Sequence, residues 1–120
     1  MRTALVARRV PGAVDTFDAV PAPQPEKFRH VRMVGPSMLP TFEPNQVLLV
    51  NLADRAPSPP GCFLVWDGLG ELIQRVQVVI GSHPLRVRIW SDNPTYNQSF
   101  ECPAGEAHIL GRVVGVWVET

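Results

Sequence analysis

The chain has 120 residues, enough for one domain with its own core, and eleven basic side chains balance eleven acidic ones. That neutrality argues against direct DNA binding, which calls for a basic face, and no apolar run nears the roughly 20 residues that cross a bilayer. With 45% hydrophobic and 18% charged residues the composition is that of an ordinary soluble globular protein.

The first 26 residues read as a flexible N-terminal arm or linker. Arg8 and Arg9 interrupt the short apolar run that begins at Ala4, which makes a poor secretory signal. Arg2, Arg8 and Arg9 read as solvated charges on that arm. A proline cluster, Pro21-Ala22-Pro23-Gln24-Pro25, then separates the arm from a body over residues 27–120. Proline lacks the amide hydrogen that a central strand must donate, so this cluster and Pro57-Ser58-Pro59-Pro60 are loops. Without an export signal, Cys62 and Cys102 read as reduced thiols, and a cytoplasmic location is expected.

The body alternates short β-rich runs with turns. Strands are expected at His30–Gly35, Gln46–Asn51, Cys62–Asp67, Glu71–Val79, Leu85–Ser91 and His108–Val118. Asp67-Gly68-Leu69-Gly70 and Gly81-Ser82-His83-Pro84 carry hairpin turn residues, so the third to fifth of these strands should form an antiparallel meander. The one helical candidate is a single turn near Ser37–Leu39, stopped by Pro40. The expected fold is therefore mainly β.

The segment Val34-Gly35-Pro36-Ser37-Met38-Leu39-Pro40-Thr41 carries the chemistry. A strand ends at a glycine, the chain turns sharply, and a serine stands where its hydroxyl is exposed beside backbone amides that could stabilise an oxyanion. Gly-x-Ser in a turn is weak alone, because a serine there is more often a helix cap. Three further segments follow in order: Pro60-Gly61-Cys62-Phe63-Leu64-Val65-Trp66-Asp67-Gly68, then Ser91-Asp92-Asn93-Pro94 with Tyr96, then Ile109-Leu110-Gly111-Arg112-Val113-Val114-Gly115-Val116.

Together these motifs resemble the peptidase domain of the LexA/UmuD-type (S24) serine–lysine self-cleaving proteins, over about residues 30–118. The resemblance implies a single domain of bent antiparallel sheets, with Ser37 as nucleophile and Gly35 and Met38 supporting the oxyanion site. It implies a general-base lysine one hairpin downstream, and that position is Gln74, within Glu71-Leu72-Ile73-Gln74-Arg75-Val76. Ser37 and Gln74 are expected to face each other at one edge of the fold. A serine hydroxyl attacks well only when a neighbour takes its proton, and a buried neutral lysine can do so. A carboxamide cannot. Loss of such a base typically costs roughly 10⁴–10⁶ in rate, so the chain as written should be nearly inactive.

Gln74 fits either an inactivated variant or a natural pseudo-peptidase. The family relation implies a role in a stress (SOS) response or in phage regulation. Its substrate would be the chain's own arm or another protein's extended segment, a homodimer is expected, and a recombinase filament or a DNA polymerase would be the kind of partner. A cut at Pro11–Gly12 is the local candidate, although Pro11 removes a donor where strand addition wants one. Two other readings stand beside this one: a non-catalytic peptide-binding or dimerisation module, and a signal-peptidase-like maturation protease. His30, His83 and His108 sit in no recognisable triad context, and no histidine or cysteine spacing suits a metal, so no cofactor is expected.

Overall fold

A computed structural model describes residues 5–10, 27–96 and 98–119, which form a single mainly β domain. The strands are β1 (Leu5–Arg9), β2 (Phe28–Arg32), β3 (Val47–Asn51), β4 (Gly61–Trp66), β5 (Glu71–Val78), β6 (Arg86–Trp90), β7 (Ser99–Pro103) and β8 (His108–Glu119). All pairings are antiparallel, in the order β2-β3-β8-β4-β5-β6-β7, with β1 also on β8. The meander expected from the two hairpin turns is β4-β5-β6. Among the described residues, no helix is long and apolar enough to cross a membrane.

Several local expectations change. The strand expected at His30–Gly35 runs over Phe28–Arg32. Met33 N–H still donates to Gln46 O (2.7 Å) and Met33 O accepts from Asn45 N–H (2.9 Å), and from Val34 onward the chain enters the serine turn. The helical turn expected at Ser37–Leu39 is a pair of hydrogen-bonded turns, with Leu39 N–H donating to Pro36 O (3.1 Å) and Phe42 N–H to Met38 O (3.0 Å). Strand β7 was not expected, since Ser99-Phe100-Glu101-Cys102-Pro103 is short, half polar and ends in proline. Its five residues find partners on β6 from Arg86 to Trp90. Within the segment expected as a free arm, Leu5–Arg9 pairs with Gly115–Glu119, and Val10 is buried in the core.

The sheet is strongly bent. Strands β2 and β5 are four strand spacings apart in the pairing order, about 19 Å if the sheet were flat. Two side chains cannot span that gap. Yet Arg29 on β2 donates two hydrogen bonds of 2.5 Å to the Glu71 carboxylate on β5. Register shifts between Leu49 and Val50, and between Leu64 and Val65, mark where the ladder can turn. Gly111 sits at the crowded centre: a Cβ there would lie 2.7 Å from Asn51 O and from a Val50 methyl.

Bending creates two cores on opposite faces of one wall. Strand β4 is buried from Gly61 to Val65, and successive side chains go to opposite faces. Cys62 and Leu64 join a larger cluster with Met33, Met38, Phe42, Leu48, Val50 and Ile73, whereas Phe63 and Val65 join Val76, Val87 and Ile89. Arg112 is fully buried, lies over the Phe63 ring and donates to Asp54 Oδ2 (2.8 Å) and to the Ala56 and Pro59 carbonyls, which pins the proline-rich loop. The serine turn lies on the larger core and the Gln74 side chain faces the smaller one.

Candidate functional site

The serine turn is built by one glycine, two buried anchors and a clamp from a distant loop. Gly35 has φ +80°, a left-handed conformation that reverses the chain before Pro36 and strains any residue bearing a Cβ. Met38 and Phe42 are fully buried in the larger core, which holds the turn from below. Ser37, immediately before Met38, is half-buried.

The clamp comes from Asp92 and Asn93, just past β6. Asn93 donates its backbone N–H to Ser37 O (3.0 Å) and its side-chain amide to Pro36 O (2.7 Å). Its own side-chain oxygen accepts from Thr95 N–H (3.0 Å), which fixes the amide's orientation. Asp92 accepts a short hydrogen bond from the Thr41 hydroxyl and two from Arg75, at 3.0 and 2.6 Å. Burial alone would raise the Asp92 carboxyl pKa; the bonds from Arg75 and Thr41 outweigh it and hold the carboxyl below its usual range. The same pairing raises Arg75 above the ordinary arginine value. Both carbonyls flanking the serine are thus tied down. Among the described residues nothing takes the amide hydrogens of Gly35 or Met38.

Gln74 lies in a different setting. Alternation along β5 sends Arg75 to Asp92 and Gln74 to the other face. There Gln74 borders an open concavity of about 600 Å³ whose apolar wall includes Val65, Ile89, Phe100, Cys102 and Ala107. Trp66, Asp67, Gly68, Glu106 and His108 complete the lining, with no lysine or arginine among these residues. Burial, then the Glu106 carboxylate, raises the Cys102 thiol against an opposing effect from Arg86. The Asp67 carboxylate accepts from the N–H groups of Leu69 (2.7 Å) and Gly70 (2.8 Å), which closes the β4–β5 turn and lowers its pKa.

The chain therefore links position 75, one residue from the expected base, to the serine turn through Asp92. The expectation that Ser37 and Gln74 face each other is corrected by the fold: alternation along β5 turns Gln74 away from the serine turn. Among the described residues no hydrogen bond joins the two, and Ser37 is not part of the concavity's lining. Pro11 and Gly12, the candidate cleavage site, lie outside the described residues. His30 stacks in a tilted arrangement on Trp117, with ring centres 5.7 Å apart. His108 borders the concavity. Among the described residues no three histidine, cysteine or acidic side chains are grouped to hold a metal.

Both cysteines are free. Burial pushes the Cys62 thiol up to about 12, which leaves it protonated at neutral pH and useless as a nucleophile. Arg75 is the site residue that sequence reasoning missed; its one signal was a cation placed in an apolar strand. A comparison with protein-family models, with curated proteins and with solved structures finds no match to this chain.

Proposed function

We propose that this chain is a LexA/UmuD-type serine–lysine peptidase domain, of the kind used in stress or phage regulation, whose base position is held by Gln74. It binds an extended protein segment and cleaves it very slowly or not at all. The observation that carries this reading is the clamp on the serine turn. Asp92 and Asn93, the pair that the resemblance makes support for the site, hold Pro36, Ser37 and Thr41 by three hydrogen bonds: Asn93 N–H to Ser37 O, the Asn93 side-chain amide to Pro36 O, and the Thr41 hydroxyl to Asp92.

In the chemistry that this turn suits, the Ser37 hydroxyl attacks a peptide carbonyl while a neutral amine takes its proton. The carbonyl oxygen becomes an oxyanion within reach of the Met38 amide. The amine's proton then passes to the leaving nitrogen, and water later releases the acyl group from Ser37. Gln74 offers an amide oxygen that is far too weak a base for the first step. A lysine written at 74 starts from the concavity, on the face of β5 away from the serine turn. This step requires its longer side chain to reach round the strand to Ser37, where partial burial would lower its pKa and supply neutral amine at moderately alkaline pH.

The test is the Gln74→Lys chain held at pH 9–10 and followed by intact mass, beside Gln74→Lys with Ser37→Ala. Two fragments from the first and none from the second are expected. An intact Gln74→Lys chain, together with no cutting of added extended peptides, would sink the peptidase reading.

A further inference from the structure

The concavity beside Gln74 has three features that together specify what it holds. Its wall is apolar and includes the exposed edge of Phe100, which is 55% accessible. Its charged lining residues are acidic, Asp67 and Glu106, with no lysine or arginine in the lining. Gln74 is half-buried in that wall, and among the described residues its carboxamide has no hydrogen-bond partner.

A carboxamide presents both an acceptor oxygen and donor hydrogens, so it can pair with the N–H and with the C=O of a main chain, whereas a lysine ammonium presents donors only. An unpaired amide on an apolar wall is therefore suited to the main chain of an extended segment. In such a segment residues i, i+2 and i+4 share one face, at about 6.6–6.8 Å intervals. One bulky aliphatic side chain can enter the apolar floor while cations two residues to either side meet the acidic rim.

We infer that this concavity binds an extended segment of another protein, with a large aliphatic residue flanked at i−2 and i+2 by arginine or lysine, and that Gln74 reads its main chain. The inference rests on the peptide-holding reading above and adds the substrate class. It also selects against the chain's own arm. Residues 13–20, Ala13-Val14-Asp15-Thr16-Phe17-Asp18-Ala19-Val20, carry two acids and no cation. They would bring like charge to Asp67 and Glu106.

The experiment uses the full native chain and three end-blocked, fluorescein-labelled peptides read by anisotropy. The first is Ala-Arg-Ala-Leu-Ala-Arg-Ala, the second replaces both arginines by glutamate, and the third has the sequence of residues 13–20. The first should bind at least tenfold more tightly than the other two, and added salt should narrow that margin. Gln74→Leu should weaken the first at least tenfold, and Glu106→Gln should weaken it severalfold. Far-UV circular dichroism of both variants should match the native chain.

Equal binding of the arginine and glutamate peptides, or tighter binding of the 13–20 peptide, overturns the inference. An unchanged affinity in folded Gln74→Leu overturns the role given to Gln74. Because the native chain is used and no bond need be cut, the two proposals fail separately. Cleavage by Gln74→Lys without arginine-peptide binding here would remove only this inference, and binding here without cleavage there would remove only the peptidase reading.

Discussion

The serine turn and the concavity beside Gln74 flank adjacent residues of one strand, yet they are built on opposite plans. Around Ser37 both flanking carbonyls, the Thr41 hydroxyl and the Asp92 carboxylate are all engaged, and Met38 is sealed beneath. Around Gln74 the wall is apolar and open, and the amide has no protein partner among the described residues. Rigidity has been built in where a nucleophile would need fixed geometry, and unsatisfied surface has been left where a ligand would supply the contacts. The two plans meet at Arg75, whose neighbour Gln74 goes one way while its own side chain goes the other.

This contrast can be broken first from the braced side. Met38→Ala removes a fully buried side chain and leaves a cavity under the turn, with an expected loss of about 3 kcal/mol in urea denaturation. A loss within experimental error would mean that the turn does not depend on its anchor. Asp92→Ala comes next. It leaves the partly buried Arg75 guanidinium and the Thr41 hydroxyl without their shared acceptor, at a cost of about 2–3 kcal/mol.

The same carboxylate sharpens the comparison through pH. Its pKa is lower folded than the 3.8 expected of a free aspartate. Its contribution is therefore fully present above the unfolded value and is lost as pH falls through the folded one. The stability gap between the native chain and Asp92→Asn should stay constant from pH 7 to about 5 and shrink below pH 4. A gap that widens on acidification would contradict this assignment. The smallest effect belongs to the open side: Gln74→Leu, which breaks no side-chain hydrogen bond among the described residues, should change stability by no more than about 0.5 kcal/mol. A larger loss in the same denaturation measurement would show that Gln74 is structural after all.

Much of this architecture was legible in the sequence where the physics is local. Alternating and continuous runs of valine, isoleucine and leucine placed β3, β4, β5, β6 and β8 to within a few residues, and the Gly-containing turns placed the meander. β1 and β7 were not legible. Arg8 and Arg9 look like a solvated arm until Gly115 and Val116 are seen opposite them, and Ser99–Pro103 gains its strand character from the partners on β6. The serine box and the Asp92-Asn93 pair were visible as motifs. What they touch was not. The bond from Thr41 to Asp92 spans 51 positions and that from Asn93 to Pro36 spans 57, and such pairings follow from the bend of the sheet rather than from any local pattern.

The most direct measurement needs no knowledge of the substrate. A fluorophosphonate probe transfers its phosphonyl group to an activated serine oxygen with loss of fluoride, and the serine's proton goes to the base. In Gln74→Lys the adduct should map by mass spectrometry to Ser37, with a labelling rate that climbs as pH rises through the new lysine's pKa. The native chain should label far more slowly. An adduct absent from Gln74→Lys at every pH, or formed equally fast with glutamine at 74, would contradict the claim that this turn holds a nucleophile lacking only its base.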